Sequence, residues 1–187
     1  MKRRTRKLIQ LAMLLLVVLA TLLANNRVQV YEKVIPPAGT YAVVSVDDGD
    51  TIIVNMAGIE EKVRFIGVDT PETHDPRKPV QCFGQAATEF TKNLIGGQTV
   101  RLESDPTNTN RDRYNRLLRY VYLPDGRLVN AELIKQGFAF AYTGFPFTKM
   151  EEFRTYQVEA RENNLGLWEG CKPMRNQYGG YSSNSAE

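Results

Sequence analysis

Five short stretches rich in β-branched and aromatic residues are separated by turn residues, and each predicts a β-strand. They are Tyr41–Val46, Thr51–Met56, Lys62–Val68, Thr99–Glu103 and Leu117–Leu123. Acidic residues and glycines at 47–50 and 57–58 predict turns between the first three, and Asp48-Gly49 is interpreted as a hairpin turn,. The folded part of the chain therefore begins with three strands in quick succession.

Apolar residues at helical spacing predict three helices. These helices cover Gly84–Ile95, Val129–Gln136 and Thr148–Asn163, and glycines follow the first two,. The order is three strands, one helix, two strands and two helices, which is typical of a five-stranded OB-fold barrel. We therefore predict an α+β domain, a mainly β barrel with about three α-helices. Such a fold does not by itself assign an activity.

The N-terminal apolar segment has no polar face and predicts a different role. The run Leu8–Ala24 follows the basic stretch Lys2–Lys7, and this is the pattern of an export signal,. The basic residues would stay inside while the rest of the chain is carried out of the cytoplasm. Residues 1–24 could be a cleaved signal peptide or an uncleaved membrane anchor, because the run is near the lower length limit for a span.

Composition divides the rest of the chain into three parts. Residues 25–39 contain Pro36-Pro37 and show no periodicity, which predicts a linker,. The predicted folded domain covers residues 40–171. Residues 172–187 are rich in Gly, Ser, Asn and Tyr and are predicted to form a disordered C-terminal tail,.

The formal net charge of +3 comes from the N-terminal leader. Lys2–Lys7 contain five of the 24 Lys and Arg residues and none of the 21 Asp and Glu residues, so the remainder is slightly acidic. A global basic field therefore cannot hold a polyanion such as nucleic acid. Local arginines or a bound cation would have to do so.

The chain has two cysteines, Cys82 and Cys171. Outside the cytoplasm a pair of thiols tends to oxidise, and a disulfide would tie the start of a helix to the end of the domain. The alternative is two independent buried thiols. The export signal favours the disulfide.

Two aspartates stand where predicted strands meet turns: Asp50 precedes the second strand and Asp69 follows the third. If these strands pair, the carboxylates can converge, and oxygen ligands suit a hard cation such as calcium. Arg64 and Arg116 carry guanidinium groups that match phosphate oxygens. Glu72 could hold or deprotonate a water molecule. Taken singly, each is an ordinary turn, loop or strand residue.

Several blocks of the sequence resemble the signature blocks of the staphylococcal nuclease (thermonuclease-like) family, in the family's order and near its spacing. The blocks are Asp48–Thr51, Arg64–Glu72, Asp112–Arg116, Tyr120–Tyr122, Asp125-Gly126, Val129-Asn130, Gln136-Gly137 and Leu165–Trp168. The resemblance covers about Thr40 to Trp168. It implies a calcium-dependent enzyme that hydrolyses DNA and RNA with little sequence preference and leaves 3′-phosphate ends.

The resemblance also implies roles for single residues. It implies that the calcium ligands are Asp50, Asp69 and the carbonyl of Thr70, and that the catalytic residues are Arg64, Glu72 and Arg116. Glu72 would act as the general base or orient the water, and the two arginines would contact the scissile phosphate.

The same resemblance suggests substrate contacts outside the catalytic set. Arg113 and Tyr114 match positions that hold a terminal phosphate of the nucleotide, and Tyr142 matches one near the base. Two residues depart from the family pattern. Asn115 stands where the family usually has glycine, and Asn tolerates the left-handed conformation better than most residues. Gly67 lies where the family usually has a larger residue.

Two functions of different classes are compatible with this pattern. The first is an extracytoplasmic nuclease, secreted or attached to the membrane, with single-stranded substrates favoured. The second is a binding module that has lost its catalytic groups. The first is favoured because the acidic residues and both arginines are present. The sequence indicates no obligate protein partner, and a monomer is expected.

Overall fold

The structure, a computed structural model, describes residues 12–22, 39–73, 79–176 and 180–185. The chain divides into two compact units, Met1–Ala38 and Gly39–Glu187. In the first unit a helix, α1, covers residues 12–22. Within the described ranges, no helix is long and apolar enough to cross a membrane. The remainder of the predicted export segment and nearly all of the predicted linker lie outside the described residues.

The second unit alternates between strands and helices. Its strands are β1 (Thr40–Asp48), β2 (Thr51–Met56), β3 (Ile59–Phe65), β4 (Val68–Asp69), β5 (Thr99–Glu103), β6 (Leu117–Tyr122), β7 (Phe140–Ala141), β8 (Met174–Arg175) and β9 (Tyr181–Ser182). Its helices are α2 (Gly84–Ile95), α3 (Val129–Lys135), α4 (Met150–Glu162) and α5 (Leu167–Gly170). The three predicted helices correspond to α2, α3 and α4, and the one-turn helix α5 is additional.

Five strands close into a barrel in the order β1-β2-β3-β6-β5. All neighbouring pairs are antiparallel except β3 and β6, which run parallel. Residues of these strands that point inward are apolar and inaccessible to solvent, among them Ile52, Val54, Val63, Val100 and Val121. Burial of this apolar surface drives the closure of the sheet. The predicted α+β class and the five-stranded OB-fold barrel are confirmed.

A buried asparagine connects helix α3 to the barrel. The side chain of Asn130 accepts a hydrogen bond from the backbone N–H of Val121 at 2.9 Å and donates one to the carbonyl of Ile66 at 2.9 Å. Buried backbone groups need such partners, because an unpaired one is costly. Asn130 thus fixes the end of β3 relative to β6. Strand β3 carries Arg64, and Arg116 directly precedes β6.

The predicted third strand, Lys62–Val68, is wrong at its C-terminal end, because β3 stops at Phe65. Gly67 has a φ of 72°, which favours glycine, and a Cβ at this position would overlap the ring of Phe147,. The chain turns there into β4, which pairs with β7 outside the barrel. This turn separates Asp69 from the barrel strands and directs the following segment across the barrel's edge.

The described residues of the predicted C-terminal tail, 172–176 and 180–185, include two short strands. Strands β8 and β9 pair antiparallel, and Ser183 is buried. The ring of Tyr181 lies 4.9 Å from Trp168 and 6.3 Å from Phe140, measured between centroids. This aromatic burial offsets the entropy of ordering a segment otherwise rich in polar residues. The structure also joins Cys82 and Cys171 in a disulfide.

Candidate active site

The side chain of Arg64 lies between the two aspartates that the sequence singles out. Its Nη1 is 2.7 Å from Oδ2 of Asp50, and its Nη2 is 3.4 Å from Oδ1 of Asp69. Strand pairing places Arg64 opposite Thr51, directly after Asp50, whereas Asp69 approaches from β4. Nη1 also donates to the carbonyl of Val68 at 2.8 Å. One guanidinium therefore holds the turn before β2 and strand β4 together.

The carboxylate of Asp50 is buried and held from two sides. It accepts hydrogen bonds from the hydroxyl of Thr51 and from the backbone N–H of Thr70, each at 3.0 Å. Only 5% of Asp50 is exposed. Burial of a carboxylate costs free energy unless charged and hydrogen-bonding partners compensate for the lost water. Arg64 and Thr70 are such partners for Asp50.

The segment after β4 carries Thr70 and Glu72 into the same region. The hydroxyl of Thr70 is buried and has no hydrogen-bond partner within the described part of the chain. One carboxylate oxygen of Glu72 accepts from the backbone N–H of Thr73 at 2.9 Å. The backbone N–H of Glu72 donates to the side-chain oxygen of Gln81 at 2.8 Å. Glu72 is thus presented from a segment whose main chain is fixed.

Arg116 reaches the site from the loop before β6. Asn115 has a φ of 64°, so the expected left-handed turn is present at this residue. The Nε of Arg116 is 2.7 Å from Oδ2 of Asp112, and its backbone N–H donates to the other carboxylate oxygen at 2.9 Å. Burial alone raises the pKa of Asp112, but the hydrogen bonds from Arg116 outweigh it and hold that pKa below its ordinary value. Asp112 therefore stays ionised and orients Arg116.

These residues line one open cleft with a volume of about 770 Å³. From the predicted site the cleft includes Asp50, Arg64, Asp69, Thr70, Glu72, Tyr114 and Arg116. Two predicted substrate contacts are not among its lining residues. Arg113 donates to the hydroxyl of Tyr114 at 2.7 Å from outside the cleft, and Tyr142 lies beside Phe145 with a centroid distance of 6.1 Å.

Asp48 also lines the cleft, although the sequence pattern presents it as a turn residue. Its Oδ1 accepts from the hydroxyls of Thr73 and Thr88 at 3.1 Å and 3.2 Å. Burial, and next the nearby carboxylate of Asp50, raise the pKa of Asp48 above its ordinary value,. The spacing Asp48-Gly49-Asp50 is the sequence signal that could have placed Asp48 in the cleft, because a tight turn brings the carboxylates on its two sides to the same edge.

The donor set of this cleft fits a hard, oxygen-preferring cation. Two carboxylates, those of Asp50 and Asp69, converge on one guanidinium. Thr70 directly follows Asp69, and its buried hydroxyl has no hydrogen-bond partner among the described residues. Among the described residues, no three Asp, Glu, His or Cys side chains gather tightly enough to enclose a metal. Calcium and magnesium can complete their coordination shells with water when the protein supplies few ligands.

Comparison with known proteins adds an independent finding. The family model described as "Staphylococcal nuclease homologue" matches residues 62–170. The thermonuclease of Staphylococcus intermedius is 45% identical over 131 residues, which cover 70% of this chain and 76% of that protein. The thermonuclease of Staphylococcus hyicus is 43% identical over 130 residues, covering 69% and 75%. Endonuclease YncB of Bacillus subtilis is 42% identical over 123 residues, covering 65% and 57%.

Proposed function

The chain belongs to the staphylococcal nuclease family and is a hydrolytic nuclease of the micrococcal type, and from that premise we propose a more specific activity. The protein is an extracytoplasmic, calcium-dependent nuclease. It hydrolyses phosphodiester bonds of DNA and RNA with little sequence specificity and leaves 3′-phosphate ends. The observation that carries this proposal is the placement of Arg64 between Asp50 and Asp69, in a cleft that also contains Glu72 and Arg116.

The residues proposed to hold calcium are Asp50, Asp69 and the backbone carbonyl of Thr70. When bound, calcium supplies positive charge that stabilises the negative charge developing on a phosphoryl oxygen. A cation is also needed to admit a polyanion. Acidic side chains outnumber basic ones among the residues that line the cleft, so the protein alone repels phosphate there,.

Glu72 is the proposed general base. Its carboxylate would accept a proton from the attacking water as the oxygen bonds to phosphorus. The bond to the leaving 5′-oxygen would break, and a proton from solvent would complete the 5′-hydroxyl. Cleavage at that bond leaves the phosphate on the 3′ side. The fixed main chain around Glu72 supports this role, because a base must lie within hydrogen-bond reach of the proton that it removes.

Arg64 and Arg116 are proposed to donate hydrogen bonds to the non-bridging oxygens of the phosphate. A guanidinium matches two oxygens at once, and its charge is worth more where negative charge increases in the transition state. Each arginine is already oriented by a carboxylate, Arg64 by Asp50 and Arg116 by Asp112. Little reorganisation is then needed when the substrate arrives.

Aromatic rings near the cleft support a preference for single strands. Tyr114 is 63% exposed, and the ring pair formed by Tyr142 and Phe145 is also exposed. Unpaired bases can stack on such rings, whereas paired bases cannot reach them. We propose that Tyr114, with Arg113 on its hydroxyl, contacts a phosphate of the bound strand and that Tyr142 contacts a base.

The extracytoplasmic location rests on the basic and apolar leader and on the disulfide between Cys82 and Cys171, since disulfides persist in oxidising compartments,. When the chain is expressed with its leader in bacteria, we expect nuclease activity outside the cytoplasmic membrane. Activity confined to the cytoplasmic fraction would contradict this location.

Calcium binding tests the proposed site independently of catalysis. Titration calorimetry should detect calcium binding that is strongly weakened by Asp50→Asn and by Asp69→Asn. Asp47→Asn is the matched control, because Asp47 lines the same cleft but forms an exposed ion pair with Lys62. Equal calcium affinity in all three variants and the wild type would show that calcium does not bind at this site.

A further inference from the structure

Gln81 holds both main-chain polar groups of Glu72. Its side-chain Oε1 accepts a hydrogen bond from the backbone N–H of Glu72 at 2.8 Å, and its own backbone N–H donates to the carbonyl of Glu72 at 2.9 Å. Two bonds to one residue restrict both its position and its rotation. The main chain from which the Glu72 side chain projects is therefore held by a residue nine positions further along the chain.

The start of helix α2 packs closely on the same segment. Gly84 lies so near that a Cβ added there would be 2.6 Å from a methyl carbon of Thr73 and 3.2 Å from the carbonyl oxygen of Glu72. Glu72 is thus confined by Gln81 on one side and by α2 on the other. Neither contact involves a residue that lines the cleft apart from Glu72 itself.

Gln81 is in turn held by the C-terminal segment. It forms an isolated antiparallel bridge with Ser185. The backbone N–H of Cys82 donates to the carbonyl of Asn184 at 2.8 Å, and the buried hydroxyl of Ser183 donates to the carbonyl of Cys82 at 2.8 Å. The disulfide from Cys82 to Cys171 adds a covalent tie at the same place. The end of the chain thus fixes the main chain that carries Gln81.

Tyr181 attaches this C-terminal segment to the domain. Its ring packs on Trp168 and Phe140, and its hydroxyl accepts a hydrogen bond from Arg161 at 2.5 Å. A segment fixed by aromatic burial and by hydrogen bonds on both sides can serve as a rigid support. A residue that is held by such a support can keep a catalytic group in place without itself touching the substrate.

From these contacts we propose that Gln81 is a positioning residue for Glu72, supported by the C-terminal segment 180–185 and the Cys82–Cys171 disulfide. The inference rests on the proposed role of Glu72 as the general base. Loss of the Gln81 acceptor would let the backbone of Glu72 move, so fewer bound substrates would have the carboxylate aligned with the water. Substrate binding, which involves other residues, would change little. Loss of the Gln81 acceptor should therefore lower kcat and leave KM nearly unchanged.

The experiment compares Gln81→Met, which keeps the side-chain length but removes the acceptor, with Gln81→Glu, which keeps an acceptor oxygen. Both are made in the wild type and in the Glu72→Gln background, in the full chain with the disulfide intact. We measure kcat, KM and the melting temperature Tm for each. Gln81→Met should lower kcat about 10- to 100-fold with KM and Tm nearly unchanged, because small misplacement of a catalytic group has effects of this size.

The double-mutant cycle identifies the route by which Gln81 acts. In the Glu72→Gln background, Gln81→Met should lower kcat no further, because the residue that Gln81 positions is already inactive. In the wild-type background, Gln81→Glu should retain most of kcat. An unchanged kcat in Gln81→Met, or an equal loss in both backgrounds, would overturn the proposal. Wild-type kcat in Glu72→Gln alone would instead overturn the general-base role on which the proposal rests.

Discussion

Arg64 and Asp50 form an ion pair with 2.7 Å between Nη1 and Oδ2, in which the aspartate side chain is only 8% exposed. The pair joins the predicted phosphate ligand to a predicted metal ligand within the protein itself. The guanidinium offsets the charge of the buried carboxylate, and the carboxylate holds the guanidinium in one orientation. The pair therefore serves both the stability of the cleft and its readiness for substrate.

Arg64→Lys tests whether the shape of the guanidinium matters beyond its charge. Lysine can still pair with Asp50, so the free energy of unfolding should change little. It cannot span Asp50 and Asp69 or donate two parallel bonds to phosphate. We expect kcat to fall about 100- to 1000-fold, the size seen when one donor to a transition-state oxyanion is lost. Wild-type turnover in this variant would contradict the role given to Arg64.

Glu61 and Arg111 hold the loop that carries Arg116. Both oxygens of Glu61 accept from Arg111 at 2.8 Å, and Arg111 also donates to the carbonyl of Asn115 at 2.8 Å. Glu61→Gln should weaken this fork and lower kcat about 10-fold, because Arg116 then leaves its productive position more often.

Glu60→Gln is the control for this variant. Glu60 is a neighbouring carboxylate of the same cleft and forms no ion pair within the described ranges. It should keep the wild-type kcat. If both variants change kcat equally, the effect is one of cleft charge, and the support of Arg116 by Glu61 is refuted.

Asp105 should make the fold sensitive to acid. Burial raises its pKa, but hydrogen bonds from Thr107, Thr148 and Tyr120 outweigh burial and hold the pKa well below the ordinary value of 3.8. A lowered folded-state pKa contributes stability that is present above the unfolded-state pKa and is lost as pH falls toward the folded-state pKa. The free energy of unfolding should therefore fall as pH drops below about 4.

Asp105→Asn should lower the free energy of unfolding at neutral pH by about 1 to 3 kcal/mol, the cost of a lost charged hydrogen-bond acceptor. In this variant the free energy of unfolding should also fall less between neutral pH and about pH 3 than it does in the wild type. Urea titrations at both pH values give these quantities. A variant whose stability depends on pH as strongly as the wild type would show that other carboxylates carry the acid sensitivity.

The disulfide should stabilise the folded state. Cys82 and Cys171 are 89 residues apart, and closing a loop of this size contributes about 4 to 5 kcal/mol in the chain-entropy model,. Reduction should lower Tm, as should the double variant Cys82→Ser with Cys171→Ser. Adding reductant to the double variant should then have no further effect. Equal Tm values for the oxidised and reduced wild type would exclude this contribution.

Much of the fold could be predicted from local sequence patterns, because the bounds of an element such as helix α2 depend on residues close to it in the chain. Helix α2 begins at Gly84 and ends at Ile95 as the helical spacing and the following glycines indicate. The end of β3 could not be predicted, because Gly67 is required by the ring of Phe147, which is distant in sequence. The order of the C-terminal segment depends likewise on Trp168, which lies under Tyr181 only in the folded state.

The candidate site was predictable for a different reason. Asp50, Arg64 and Glu72 are each ordinary in isolation, and only the resemblance of whole blocks selected them. Their convergence requires the pairing of β2 with β3 and the turn at Gly67, which brings the segment after β4 to the same cleft. Strand patterns in the sequence predict the strands but not these two arrangements. The support of Glu72 by Gln81 left no signal in the sequence, because a single glutamine before a cysteine matches no motif.

We propose that a calcium site and Glu72 act together in the cleavage of nucleic acid. The most direct measurement is digestion of heat-denatured DNA and of RNA by the purified protein during calcium titration, with analysis of the product ends. We predict that both polymers are cleaved only with calcium, that EGTA abolishes cleavage, and that the products carry 3′-phosphates. Full cleavage in EGTA, or products with 5′-phosphates, would contradict the account.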